Sequence, residues 1–404
     1  LNDRLDDRLR YRLDSIRERG LWRATRILDG PQTPEQTIDG RPMLAFCSND
    51  YLGLASDPRV TAAVHRGLDR YGVGAGAAHL VNGHTRAHEE LEEALAAFTR
   101  RPAALLFSTG YMANLGILQT LTNRHDEVFE DRLNHASLID AVRRAGVHVR
   151  RYRHADPSDL ERLLSVAAPE RMRFIVTDGV FSMDGDIAPL PALSLAARNH
   201  GATLVVDDAH GLGVLGERGE GSCGHFGLDA DDVPVLMGTL GKAVGSAGAF
   251  VAGSATVIES LRQFARSYVY TTAMPAALAV GTRVAIELVQ TESWRRERLH
   301  HLIGRLREGL RQSDLQPGPG STPIQPVLLG SARTASKVAA ALRENGLLVP
   351  AIRPPTVPEG TARLRITLSA LHTDAQVDRL VETLRQVMRG IPEDAAAQTL
   401  ATSL

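Results

Sequence analysis

Short apolar runs alternate with longer stretches of helical periodicity through the middle of the chain. Leu105–Phe107, Val147–Tyr152, Phe174–Thr177, Thr203–Val206, Val235–Met237 and Ala247–Val251 read as strands. Pro58–Tyr71, a segment from about Ala113, Leu138–Ala145, Leu190–His200 and Ala255–Arg266 carry the spacing of helices. Strand and helix taking turns in this way argue an α/β domain, a mostly parallel sheet with helices on both faces. Upstream, Leu1, Leu5, Leu9, Leu13 and Ile16 recur at helical spacing among arginines and acids, which predicts an amphipathic helix that packs on another subunit. Gly30–Gly40 is turn-rich, a hairpin or loop leading into the apolar Met43–Phe46. After about Val289 the texture changes. Trp294–Gln312 predicts a charged amphipathic helix and Gln316–Pro323 a Pro/Gly linker. Ile324–Leu328 (an edge strand, given Pro326), Lys337–Asn345, Leu347–Pro350, Arg363–Leu368 and Thr373–Met388 then supply the strands and helices of a smaller α+β domain. The expected division is an N-terminal arm over 1–48, a large domain over 49–289, a small one over 290–390 and a polar tail over 391–404.

Composition narrows the function classes. Of 404 residues, 43% are hydrophobic and 23% charged, a profile expected of a soluble globular protein. The 46 basic and 47 acidic residues nearly cancel, leaving no global pull towards nucleic acid or a membrane surface. Cys47 and Cys223 lack any paired spacing, which argues against a disulfide framework or zinc site and suits a reducing cytoplasm. The charged N-terminus does not read as a signal peptide, and Pro275 and Arg283 interrupt the longest apolar candidate for a membrane span.

The polar clusters fall at the carboxyl ends of the strands, where open α/β sheets place their ligand crevice. Thr203–Val206 ends on Asp207 and Asp208, with His210 two residues on, and Val235–Met237 runs into Gly-Thr-Leu-Gly-Lys, which holds Thr239 and Lys242. A lysine in a glycine-rich bend beside a carboxylate suits pyridoxal phosphate (PLP), whose aldehyde needs an amine and whose ring nitrogen needs an acid. Other readings exist for each part. Asp207 and His210 could form a metal pair, and Gly211-x-Gly213-x-x-Gly216 formally matches a dinucleotide fingerprint, although no helix start follows it. Gly241-Lys242-Ala243 lacks the hydroxyl of a P-loop. Ser108–Asn114 can hold a phosphate at a helix start or serve as an ordinary cap. His84 and His88 have metal-like spacing but no third ligand, so a solvated helix start is expected there. His135 can stack on a cofactor ring or cap a turn, and the hydroxyls of Thr271 and Thr272 can cap a helix or touch a phosphate. Arg353, Arg363 and Arg365 can grip a carboxylate through paired hydrogen bonds or form surface salt bridges.

The stretches SNDYLGL (Ser48–Leu54), NHASL (Asn134–Leu138), FSMDGD (Phe181–Asp186), DDAHG (Asp207–Gly211) and GTLGK (Gly238–Lys242) together resemble the α-oxoamine synthases. This is a PLP-dependent family of fold type I, and the resemblance spans nearly the whole chain. IRPPTVPEGTARLRIT (Ile352–Thr367) is similar to the branch that condenses L-alanine with a pimeloyl thioester, on CoA or a carrier protein, in biotin biosynthesis. The resemblance implies a seven-stranded, mostly parallel sheet between helices plus a smaller C-terminal domain. It also implies a cytoplasmic homodimer with its active site at the subunit interface and no metal. By position, Lys242 matches the Schiff-base lysine, Asp207 the partner of the pyridine nitrogen, His210 the group beside the ring hydroxyl and His135 the ring-stacking histidine. Gly110, Tyr111, Ser182 and Thr239 match cofactor or phosphate contacts, and Thr271 or Thr272 a phosphate contact from the other subunit. Arg23, Asn49, Thr356 and Arg365 match substrate positions, Arg365 being the carboxylate grip, with Arg353 close by. Two departures stand out. Asp178 occupies a position usually held by Glu, within TDGVFSMDG, which is equally similar to glycine-using sister synthases. Ala77–Leu80 replaces a more Gly/Ser-rich run.

Overall fold

In a computed structural model, which describes residues 2–168 and 170–390, all six apolar runs of the middle region lie in one seven-stranded sheet. The expected tail over 391–404 lies outside the described residues. Across the sheet the order is Ala103–Phe107, Ala249–Gly253, Val235–Thr239, Ala202–Asp207, Arg173–Asp178, Glu127–Asp131, His148–Tyr152. Only Ala249–Gly253 runs antiparallel to its neighbours; the other pairings are parallel. Successive side chains of a strand point to opposite faces, and here both faces are covered. Val205, Val235 and Met237 pack under Gly110–Leu121 and Ala136–Ala145 through Ala113, Ile117, Leu138 and Val142. Leu204, Val206 and Leu236 pack on the opposite side against Leu160, Leu190 and Leu193. Double-sided burial is why these strands are continuous apolar runs rather than alternating ones.

The seventh strand, Glu127–Asp131, was not evident from its sequence, EVFED. Glu127 and Glu130 are nonetheless buried. The neighbouring strand supplies their partners: Arg151 Nε donates to Glu130 at 2.6 Å, and Arg150 pairs with Glu127. Charges that pair only across a sheet disguise a buried strand as a loop.

The N-terminal hairpin Glu35–Ile38 and Arg41–Ala45 does not stand alone. Leu347–Leu348 adds to it in parallel, so segments about 300 residues apart in sequence share one small sheet. A second small sheet orders Ile324–Gly330, Ala362–Thr367 and Ala351–Ile352 antiparallel, with Pro326 on its edge strand as expected. The helix expected from Lys337 begins at Ala332, because the Ser331 hydroxyl caps it by accepting from Thr334 N at 3.0 Å. Helix Asn2–Glu18 presents Leu5, Leu9, Leu13 and Ile16 at 37% to 48% exposure, an apolar stripe left open among the described residues. Among the described residues no helix is long and apolar enough to cross a membrane.

The glycine-rich stretch after Asp208 forms turns, not the helix that a dinucleotide fingerprint opens. Its glycines enclose the buried Asp208 carboxylate, which accepts from Ser222 N at 2.7 Å. A Cβ at Gly221 (φ +91°) would meet Asp208 Oδ2 at 1.9 Å, so this glycine is a steric requirement.

Candidate active site

Ala202–Asp207 and Val235–Thr239 are adjacent parallel strands, and their carboxyl ends deliver Asp207 and the Lys242 bend to one place. Asp207 is 3% exposed. Its Oδ1 accepts from Ala209 N at 3.0 Å and its Oδ2 from Asn114 Nδ2 at 2.8 Å. Asn114 is fully buried on Gly110–Leu121, also donates to Ser137 Oγ at 2.8 Å, and holds the carboxylate in a fixed orientation. Lys242 Nζ lies 2.7 Å from His210 Nε2. Burial pushes the lysine down to about 8, although Asp207 and Asp178 pull the other way. Burial, with the charges of Lys242 and Arg365, holds His210 well below the usual imidazole range, so its ring is neutral.

The next strand end contributes Asp178. Burial and the nearby Asp207 charge raise its carboxyl well above the usual range, while it accepts from His135 N at 2.7 Å. His135 stands before Ala136–Ala145 with its ring anchored by Ser137 Oγ, 2.7 Å from Nδ1. Burial of its surroundings lowers the ring's pKa, opposed by Asp207. On the far side, Thr109 caps Gly110–Leu121 by accepting from Met112 N at 3.2 Å. The backbone N–H groups of Gly110 and Tyr111 then have no intrahelical acceptor and lie at the positive end of the helix dipole. Thr239 Oγ1 donates to Gly248 O at 3.2 Å and thereby stiffens the bend that carries Lys242.

Arg365, 7% exposed, donates from Nε to the Ser182 carbonyl at 2.6 Å and from both Nη atoms to Asn49 Oδ1 at 3.3 Å. Of the three arginines expected near a cleft, it is the one joined to this cluster. Arg363 pairs with Asp184, and Arg353 donates to Gly20 O at 2.6 Å and Ser336 Oγ at 3.3 Å. Arg23 and Thr356 are exposed in connecting segments, and the Tyr111 hydroxyl turns to Asp140. Thr272 is exposed, bridges to Ala78 and, like Thr271, makes no hydrogen bond to the Lys242 cluster among the described residues.

The solvated helix start expected at His84 and His88 is wrong for His88, which is fully buried and donates from Nε2 to Met274 O at 2.8 Å. His79, His84 and His88 pack ring against ring, with His79 stacked on Tyr268 at 4.9 Å, so their spacing serves packing. Two residues of the active cluster escaped the sequence reading. Asn114 carries no motif signal, and Tyr51, inside SNDYLGL, has its hydroxyl 2.7 Å from His210 Nδ1.

The sequence profile of the aminotransferase class I and II family matches residues 41–384. The chain belongs to that family. It is 61% identical to the 8-amino-7-oxononanoate synthase of Thioalkalivibrio sulfidiphilus over 95% of this chain and 97% of that protein. To the enzyme of the same name from Nitrosococcus oceani it is 59% identical, covering 91% and 97%. Among solved structures, Sphingomonas wittichii serine palmitoyltransferase superposes with a TM-score of 0.90 at 32% identity, covering 97% of this chain and all of that one. The Francisella tularensis 8-amino-7-oxononanoate synthase superposes at 0.75 and 32% identity, covering 86% and 98%. A high-resolution structure of SPT with PLP superposes at 0.87 and 33% identity, covering 91% and 92%. The architecture is therefore fold type I of the PLP-dependent enzymes, with a mostly parallel seven-stranded sheet and an additional C-terminal α+β part.

The residues present fit PLP on the chemistry of their donors. An amine that titrates near 8 is available to a carbonyl, a buried carboxylate held by two N–H groups suits a cationic ring nitrogen, and a capped helix start with open N–H groups suits a phosphate. The buried Asn114 Oδ1 has no hydrogen-bond partner, a further polar atom in the wall behind Asp207.

Proposed function

We propose that the chain is an 8-amino-7-oxononanoate synthase. It condenses L-alanine with a pimeloyl group carried as a thioester on CoA or a carrier protein, releasing the thiol carrier and CO2, with PLP as cofactor. The carrying observation is 61% identity along almost the full length of both chains to a protein of that name, with Lys242 and Asp207 brought together on adjacent strand ends.

PLP, when bound, supplies an electron sink for negative charge at the amino acid's α-carbon. Lys242 would hold it covalently, Asp207 its ring nitrogen, His210 its ring hydroxyl side, and Gly110, Tyr111, Ser182 and Thr239 its remaining contacts. With burial pushing its amine down to about 8, Lys242 is mostly ammonium near neutral pH but far more often neutral than an ordinary lysine, and it takes the α-proton at Nζ. His135, its backbone fixed by Asp178 and its ring by Ser137, orients substrate over the cofactor face. Arg365 grips the alanine carboxylate, with Asn49 and the Ser182 carbonyl aligning the guanidinium beforehand. Arg23 and Thr356 stand at further substrate positions that the family resemblance implies, with Arg353 close by. The working form is a cytoplasmic homodimer in which the exposed stripe of Asn2–Glu18 is covered and Thr271 or Thr272 reaches the partner's phosphate site. Nothing in this role calls for nucleic acid, a membrane or a metal.

The test is mass spectrometry of products after incubating PLP-loaded protein with alanine or glycine and pimeloyl-, acetyl- or succinyl-CoA. 8-Amino-7-oxononanoate from alanine and pimeloyl-CoA is expected. Products from glycine with a short acyl-CoA alone would reassign the chain to a sister synthase.

A further inference from the structure

The Tyr51 phenol is fully buried between two groups of the site. Its oxygen lies 3.1 Å from Asn49 Oδ1 and 2.7 Å from His210 Nδ1, and His210 Nε2 faces Lys242 Nζ at 2.7 Å. A continuous row of contacts thus links Arg365, Asn49, Tyr51, His210 and Lys242. Both ends of the row are cations that only donate. Guanidinium has no acceptor, so the Asn49 atom facing Arg365 must be the carbonyl oxygen, and the Tyr51 hydrogen points to it. An ammonium has no acceptor either, so His210 Nε2 must offer a lone pair. The neutral ring then carries its single hydrogen on Nδ1 and gives it to the Tyr51 oxygen. Every donor and acceptor between the two ends follows from the ends.

We propose that Tyr51 is a positioning residue: by accepting from His210 Nδ1 and donating to Asn49 it holds His210 as the Nδ1–H tautomer, turns the Nε2 lone pair on Lys242, and ties that choice to the Arg365 side of the site. In the chain without cofactor the arrangement stabilises the ammonium form of Lys242. Without the phenol hydroxyl, Nδ1–H loses its acceptor and the Nε2–H tautomer, still opposed by a cationic lysine, becomes less disfavoured and is populated beside the first. The phenyl ring of Tyr51→Phe still fills the same volume, so the loss is one hydrogen bond and not the packing.

This inference rests on the roles proposed for Lys242 and Arg365, but its test needs no substrate. The full chain is labelled with [15N]histidine, freed of cofactor, and its imidazole nitrogen shifts are recorded near pH 7, with His210→Asn identifying the His210 signals. The native chain should show His210 as the Nδ1–H tautomer, and Tyr51→Phe should show a mixture. Asn49→Ala, which removes the acceptor of the Tyr51 hydrogen, should turn the phenol onto Nδ1 and give Nε2–H. The Lys242 titration, followed by reaction with pyridoxal at varied pH, should fall by about one unit in Tyr51→Phe, the equivalent of one modest hydrogen bond. An unchanged Nδ1–H signal in both variants, or Nε2–H in the native chain, would overturn the proposal. Should Tyr51→Phe not fold, the Asn49→Ala arm decides alone. Product identity can fail while these spectra succeed, and the reverse, so the two readings are separable.

Discussion

Asp178 and Asp207 end neighbouring strands in register, and two carboxyl groups so placed resist sharing negative charge. Asp178 is the one driven towards the neutral form, by burial and by Asp207. Its work is to accept from His135 N, which an amide oxygen does equally well. Asp178→Asn should therefore change PLP affinity by less than about 1 kcal/mol, whereas Asp207→Asn, which loses the charge opposite the ring nitrogen, should cost about 2 kcal/mol or more. Equilibrium titration with PLP, followed in the visible band, separates the two. Lys242 makes a pH prediction. Its pKa falls from the ordinary 10.5 to about 8 on folding, so the unfolded chain binds more protons between those values. The cost of burying it is complete below pH 8 and is relieved as pH rises through that window. The rate of aldehyde addition at Lys242 should accordingly rise with a midpoint near 8; a midpoint near 10.5 would mean that burial does not act on this amine.

Elements whose burial is apolar were legible in the sequence, and those held by charge were not. Thr203–Val206 and Val235–Met237 extend by only a residue or two in the structure, because their interior positions touch packed side chains on both faces. Glu127–Asp131 was hidden because its acids find their arginines on another strand, a pairing no local pattern records. The site divides in the same way. Strand-end chemistry exposed Asp207, His210 and Lys242, and family resemblance supplied Arg365 and His135. Asn114 and Tyr51 act through contacts 93 and 159 residues distant in sequence. The loop after His148–Tyr152 gives an element-scale prediction. Burial opposes a charged His154, but hydrogen bonds to Asp131 and Asp186, at 3.1 and 3.0 Å, raise it to about 10. A raised pKa stabilises the fold fully below the free histidine value of about 6.5, and that stability is lost as pH climbs to about 10. His154→Gln should lower Tm at pH 7 and flatten its decline between pH 7 and 10. Lys242 acts oppositely above pH 8, so the comparison of variant with parent, not the parent curve alone, isolates His154.

Over the whole molecule, the C-terminal part is fastened by buried charge to the segment that leads into helix Pro58–Tyr71. Arg295, from helix Ser293–Gln312, donates to Asp57 Oδ2 at 2.9 Å and to the Leu52 carbonyl at 2.7 Å, with both charged side chains at most 6% exposed. Arg59 still holds Asp57 when Arg295 is removed, with Nη2 2.8 Å from Oδ2, so Arg295→Ala loses the buried bonds to Asp57 and the Leu52 carbonyl without stranding a charge and should destabilise the fold by about 1–3 kcal/mol in urea unfolding. Arg365, which comes from the C-terminal part, lies close enough to Lys242, on the bend after Val235–Thr239, for its charge to act on that amine. The account depends on one claim: Lys242 is the amine that holds the cofactor. The sequence contains two lysines, Lys242 and the exposed Lys337, so the claim has a direct test. PLP-loaded protein is reduced with borohydride, digested and mapped by mass spectrometry. The account predicts the phosphopyridoxyl mass on the peptide containing Lys242 and none on that containing Lys337. A label on Lys337 alone, or no label in protein that has bound PLP, would contradict it.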